Sequence, residues 1–422
     1  MIATDPKKDL DVLVVGGGPA GATTAALLAG KGRRVLVLEK ECFPRYHIGE
    51  SLLPYCYFTL ERLGVLEKLA GSGYVKKHSV QFVSTEGKCS KPFYFFQHLD
   101  HPAAQTWQVL RSSFDKMLLD HAGQCGAQVL HEMNATRLVL QGEAVVGVEA
   151  ADANGRTQQF EAPLTIDASG RGSLAINQFN WRLRDPQLSK ISIWTYYEGA
   201  LRDEGYDAGA TTIAYLPQKG WFWFVPLPDD MVSVGVVAEG SYLFGESKDP
   251  AEILAGQVDL NPWIAEHLAP AKQMGKHWVT GDYSYRAKHC AVDGLVLVGD
   301  AFAFLDPVFS SGVFLALRSG EMAADAADAA LSAGDVAAER FSEYGLQFCA
   351  GIEAMRKLVY AFYDETFSFG SVLRKHPQLR GDLTDILIGN LQKDFAPLFA
   401  AIAEFADVPE PLLHGGPLVL AQ

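Results

Sequence analysis

Apolar runs that stop abruptly at glycine mark the two ends of this chain, and strict residue-by-residue alternation marks its middle. Asp11–Val15 predicts a buried parallel strand, followed without a gap by Gly16-Gly17-Gly18-Pro19-Ala20-Gly21 and a small-residue helix over Ala22–Gly30. A second strand, Arg34–Leu38, ends in Glu39. Later strands end at Asp167-Ala168-Ser169-Gly170 and, over Leu295–Val298, at Gly299-Asp300-Ala301. Between them Ile191–Tyr197, Thr211–Leu216, Trp221–Pro226 and Met231–Val237 alternate as antiparallel strands do. Gly312–Leu331 is helical and Ala-rich, and Arg340–Phe405 is mostly helical with a break near Pro377. The fold class predicted is α/β: a Rossmann-like domain with an inserted antiparallel sheet and a C-terminal helical region.

Composition narrows the classes of function. The chain has 422 residues, 48% of them hydrophobic and 20% charged, which is enough apolar material for two to three folded domains. With 36 Lys+Arg against 50 Asp+Glu the net charge is −14, so generic attraction to nucleic acid or to a membrane surface is disfavoured. Cys42, Cys56, Cys89, Cys125, Cys290 and Cys349 are scattered and form no C-x-x-C, which indicates neither a metal site nor a disulfide scaffold. The first apolar run is too short for a signal-peptide core, and no run approaches 18 apolar residues, so a soluble, cytoplasmic protein is expected.

The glycine turn carries the first chemistry. In a strand–turn–helix context Gly16 permits the tight turn, Gly18 lets the backbone approach a pyrophosphate at the helix N-terminus, and Gly21 allows close helix packing. Glu39 lies 18 residues beyond Gly21, near the spacing of a ribose-binding acid. No second such turn follows a strand, so one tightly held dinucleotide without a separate nicotinamide domain is expected, and FAD fits best. Asp300, at the carboxyl end of its strand, suits a ribityl hydroxyl. The expected organisation is an FAD-binding domain from residues 1–78, 108–175 and 280–335, an antiparallel-sheet substrate domain from 79–107 and 176–279, and a helical region over 336–422.

Taken together, the glycine turn, Phe43-Pro44-Arg45-Tyr46-His47-Ile48-Gly49-Glu50-Ser51, Asp167–Gly170 and Gly299-Asp300-Ala301 resemble the flavoprotein fold of aromatic hydroxylases, geranylgeranyl reductases and flavin-dependent halogenases. Two motifs narrow this to the halogenases, and a lysine pattern to their phenol- and pyrrole-acting members. Trp221-Phe222-Trp223-Phe224-Val225-Pro226 resembles W-x-W-x-I-P, with Val225 for Ile, and Phe304 to Gly312 (FLDPVFSSG) resembles F-x-x-P-x-x-S-x-G. The resemblance implies FAD contacts from Gly16, Gly18, Ala20, Gly21, Glu39, Lys40 and Arg45, from Gly49, Glu50, Ser51 and Arg111, and from Asp300, Pro307, Gly312 and Val313. It implies a halide at Ser311 and Gly312, where a helix N-terminus offers an anion site without a charged side chain. Trp221 and Trp223 would separate flavin from substrate, and Phe304 and Phe309 would line the substrate pocket.

The resemblance also implies a catalytic lysine shortly after a Gly-Glu-Ser helix, in a pattern like F-x-x-K-x-G. Tyr74 to Ser79 fits with Lys77, departing from it at Tyr74 and Ser79, and Lys76 is the neighbour that could be mistaken for it. The implied reaction takes reduced FAD from a separate flavin reductase, O2, and chloride or bromide; a flavin hydroperoxide yields hypohalous acid, which Lys77 relays to an electron-rich ring. Phe309 stands where tryptophan halogenases carry a glutamate, which disfavours free tryptophan. A flavin monooxygenase, a prenyl reductase and a non-enzymatic prenyl-binding escort protein of the same fold remain alternatives. Near the C-terminus, the aromatic-rich segment Val359–Gly370 suits a lid over an aromatic chamber or an ordinary helix contact. The basic group Arg374, Lys375, His376 and Arg380 suits docking of an acidic carrier protein bearing the substrate or a solvated helix end.

Overall fold

The computed structural model describes residues 10–281, 284–364 and 367–419. Glu365 and Thr366 of the aromatic segment, Asp282 and Tyr283, and both chain ends lie outside them. The apolar run Val12–Val15 is fully enclosed because it pairs in parallel on both sides, with Val35–Leu38 and with Leu164–Asp167. Leu295–Leu297 extends that sheet beyond Leu164–Asp167, and Gln128–Leu130 lies on the other side, giving six strands with Ala291–Val292 as an antiparallel edge. All four sequence-identified strand ends therefore open at the same carboxyl edge. Helix Pro19–Gly30 starts three residues earlier than the periodicity predicts, because a proline at the first helical position is already set at the right φ and lacks only an N–H that would go unused. It packs between helix Arg111–Gln124 and the long helix Gly312–Ser332.

The alternating middle of the chain builds a second, seven-stranded sheet ordered Lys272–Thr280, Ile191–Glu198, Met231–Ala238, Trp221–Pro226, Thr211–Tyr215, Ser79–Val83 and Phe93–Tyr94. It is antiparallel except where Ser79–Val83 runs parallel to Thr211–Tyr215. Phe222 and Phe224 point into a core formed with Val232, Val234 and Val236, while Trp221, Trp223 and Val225 face the other way. The C-terminal part is helical over Ser342–Tyr363, Phe369–Lys375, Arg380–Ile388 and Ala396–Ile402, with the turn at Pro377–Leu379. Among the described residues no helix is long and apolar enough to cross a membrane. One local expectation is corrected: Gly49-Glu50-Ser51 is not helical. It is an extended approach in which Ser51 forms a backbone bridge with Gln108, and the helix begins only at Cys56.

Candidate active site

A cavity of about 470 Å³ lies where the carboxyl edge of the parallel sheet meets the tryptophan face of the second sheet. Of the sequence-identified residues it is lined by Gly16, Gly18, Ala20, Glu39, Lys40, Arg45, Gly49, Glu50, Ser51, Arg111, Trp221, Trp223, Asp300, Phe304, Pro307, Gly312 and Val313. Gly21, Lys77, Phe309 and Ser311 stand behind its wall.

The cradle at one end fits a dinucleotide. Gly16 has φ +100°, and a Cβ there would sit 2.4 Å from the Ala168 carbonyl oxygen, so only glycine makes this turn. A Cβ on Gly21 would meet the Gly16 oxygen at 1.9 Å, which explains how Gly21 acts from behind the wall. Gly18 precedes the helix at Pro19, whose first turn has neither a side-chain cap nor an acidic residue, so its N–H groups and positive dipole end are left for an anion. The Glu39 carboxylate is fixed by the N–H of Gly17 at 2.7 Å and of Glu41 at 2.9 Å while bordering the cavity. Arg111 holds Asp115 through two bonds of 2.7 and 2.9 Å and donates to the Ile48 carbonyl at 2.7 Å. Arg45 also pairs with Asp115, at 3.1 Å. The two arginines are thus braced by a carboxylate that the sequence reading did not single out. Burial pushes Asp300 up to about 6, opposed by Arg171 and Arg111, so this acid can pass between acceptor and donor near neutrality.

Across the cavity the aromatic wall is pinned by hydrogen bonds. Trp221 donates its Nε1–H to the Tyr363 hydroxyl at 2.8 Å, and Tyr363 donates to Asp306 Oδ2 at 2.9 Å. The C-terminal helix thereby ties the two signature motifs together. Trp223 donates to Ser233 Oγ at 3.0 Å, and its ring lies over Gly235, where a Cβ would come within 2.3 Å of the indole. Glu50 is buried and accepts from the Tyr196 hydroxyl at 2.7 Å; burial holds its carboxyl above the usual range. Phe304 borders the cavity with the Arg171 guanidinium over its ring, whereas Phe309 is buried against Phe362 and Phe369.

Two features sit just behind the wall. Ser311 precedes the helix Gly312–Ser332 without capping it, and its buried hydroxyl has no hydrogen-bond partner among the described residues. A Cβ on Gly312 would meet nothing within 4 Å, so the backbone there is open to the cavity. Lys77, on the short strand Val75–Lys77, is completely buried, and its Nζ donates to Ser51 Oγ at 2.8 Å and to the Leu52 carbonyl at 3.3 Å. Among the described residues no carboxylate forms an ion pair with it, and burial pushes its amine down to about 7. Lys76, its neighbour, is exposed.

Tyr363, Tyr196, Thr211 and Arg171 were not visible as site residues in the sequence, because each joins the site through a contact across distant parts of the chain; Asp115, one helical turn beyond Arg111, was missed although its i,i+4 spacing was a local signal. Comparison with known proteins agrees with this geometry. Residues 9–320 match the FAD binding domain family. The chain is 30% identical over 407 residues to a 1H-pyrrole-2-carbonyl-(peptidyl-carrier protein) chlorinase of Pseudomonas fluorescens, covering 91% of this chain and 90% of that protein. It is 31% identical to a tryptophan 2-halogenase of Chondromyces crocatus, covering 94% of this chain and 76% of that protein. The solved structure of the flavin-dependent brominase Bmp2 superposes with a TM-score of 0.86 at 30% identity, over 94% of this chain and 98% of that one. With a dinucleotide cradle facing a tryptophan wall, and with relatives of this kind matched over 76–98% of their own length, the chain belongs to the flavin-dependent halogenases.

Proposed function

We propose that this enzyme halogenates an electron-rich pyrrole or phenol, with Lys77 as the amine that delivers the halogen. FAD, reduced by a separate reductase, would supply the oxidising chemistry with O2. The N-terminus of helix Pro19–Gly30, Glu39 and Asp300 would hold it. The Ser311 hydroxyl and the backbone at Gly312 and Val313 would hold chloride or bromide by hydrogen bonds without placing a cation beside it. Trp221 and Trp223 would keep the organic ring away from the flavin. At Lys77, hypohalous acid would exchange its O–halogen bond for an N–halogen bond, the displaced amine proton leaving with hydroxide as water. The observation that carries this reading is the buried Lys77 amine, which has no carboxylate partner among the described residues and is pushed down to about 7, so that a large fraction is a neutral nucleophile at physiological pH. Lys77→Ala is expected to retain FAD and O2 consumption while losing halogenated product, and exposed Lys76→Ala to keep it. Product formation surviving in Lys77→Ala would overturn the assignment.

A carrier-bound substrate is the finer proposal. Its support is the carrier-bound pyrrole substrate of the Pseudomonas fluorescens chlorinase, together with exposed Arg374 and Arg380. Lys375 and His376 both pair with Glu404, so the basic face is narrower than the sequence indicates. For the ring, Phe309 brings no carboxylate toward Lys77, and pyrroles and phenols activate themselves. A panel containing free pyrrole and phenol acids, tryptophan and a carrier-bound pyrrole thioester tests both points. The thioester should react fastest, and Arg374→Glu with Arg380→Glu should slow it alone; a preference for free tryptophan would refute the substrate reading.

A further inference from the structure

Lys77 does not border the cavity, and the connection between them is made by hydroxyl groups. Ser51 Oγ accepts from Lys77 at 2.8 Å and lies 2.8 Å from Thr211 Oγ1, and both Ser51 and Thr211 line the cavity. Gln108 Nε2 lies 2.9 Å from both the Gly209 carbonyl and Thr211 Oγ1. The carbonyl can only accept, which fixes the amide orientation, so Gln108 donates to Thr211 as well. The hydrogens can therefore be counted. Each hydroxyl owns one, the Ser51–Thr211 contact uses one of the two, and Lys77 and Gln108 bring their own. With Lys77 as the donor to Ser51, one hydroxyl hydrogen is left, and among the described residues no other protein group accepts it. On the other side, a neutral Lys77 has two N–H bonds, to Ser51 and Leu52, and these leave its lone pair unused.

We propose that the Ser51–Thr211 hydroxyl pair is the passage from the cavity to Lys77: it aims the amine and presents its one spare O–H to the arriving halogen species. This rests on the reading of Lys77 as the delivering amine. Ser51 then serves the lysine as well as the cavity wall, and Thr211 is a positioning residue that acts through Ser51. Its place is set by strand Thr211–Tyr215 pairing with Ser79–Val83, two residues beyond Lys77.

The test compares Thr211→Val and Thr211→Ala, which remove the hydroxyl with and without keeping side-chain volume, against Thr211→Ser, which restores it. All are first checked for bound FAD. Product per O2 consumed should fall about tenfold in the first two, the scale of one lost hydrogen bond, with escaping hypohalous acid caught by a diketone trap in bulk solution. Thr211→Ser should recover most of the loss. In FAD-free protein, 13Cε-lysine NMR should show the Lys77 titration midpoint displaced in Thr211→Val and restored in Thr211→Ser, which loss of packing alone would not produce. Unchanged coupling in Thr211→Val or Thr211→Ala, or equal losses in all three variants, would overturn the passage. If Lys77→Ala itself still makes product, the lysine reading fails; if it is inactive while Thr211→Val is unaffected, only the passage fails.

Discussion

Lys77→Met should make the folded protein more resistant to denaturant near neutral pH, by an amount that shrinks as the pH rises. The folded amine titrates near 7 and an unfolded lysine near 10.5, so between these values the unfolded chain carries a proton that the folded one has given up. Wild-type stability must rise with pH through that window. Below pH 7 the charged amine is confined in the interior, at a penalty of roughly 5 kcal/mol, from about 1.4 kcal/mol for each pKa unit. Methionine fills similar space and does not titrate. It leaves the Leu52 carbonyl without its donor, a loss of about 1–3 kcal/mol that does not depend on pH. The variant's advantage should therefore be a few kcal/mol at pH 6 and should decline by about 1.4 kcal/mol per pH unit from 7 towards 10.5. Urea unfolding of both FAD-free proteins at several pH values gives the difference curve, in which groups remote from the lysine cancel. A flat curve would refute the claim that burial depresses this amine, and with it the chemical basis for its nucleophilicity.

Ser311→Ala should weaken halide binding, raising the KM for chloride about three- to tenfold while FAD affinity stays level, because it removes one hydroxyl donor and no cofactor contact; steady-state rates at varied chloride check this. Gly16→Ala should abolish FAD retention, measured by flavin absorbance of the purified protein, since its Cβ would collide with the Ala168 carbonyl oxygen in a left-handed backbone conformation. Tyr363→Phe leaves Trp221 Nε1 and Asp306 Oδ2 each short of a buried partner, and should lower stability by about 1–3 kcal/mol in urea titrations.

Features written locally were the ones legible in the sequence. The strand, glycine turn and helix at Val12–Gly30 are set by contiguous residues, and the two-residue period of Trp221–Pro226 already separates the cavity-facing tryptophans from the phenylalanines of the second core. Helix ends were less legible: Pro19 reads as a turn residue but serves as the first helical position. Long-range polar partners were not legible at all. Thr211 is one more β-branched residue on a strand, and only pairing with a segment some 130 residues earlier brings it to Ser51. Tyr363 likewise belongs to an aromatic-rich helix whose composition suits core packing, and its hydroxyl contacts depend on where that helix docks.

The parallel pairing of Ser79–Val83 with Thr211–Tyr215 has a consequence for when the enzyme becomes reactive. Parallel neighbours so far apart in the chain must close a long loop before any contact compensates for the lost entropy, so no local segment can build this edge by itself. Until it forms, Lys77 is solvated and protonated like any surface lysine. Nascent or partly opened chains thus present an ordinary, mostly protonated lysine, and the depressed amine belongs to the closed fold alone.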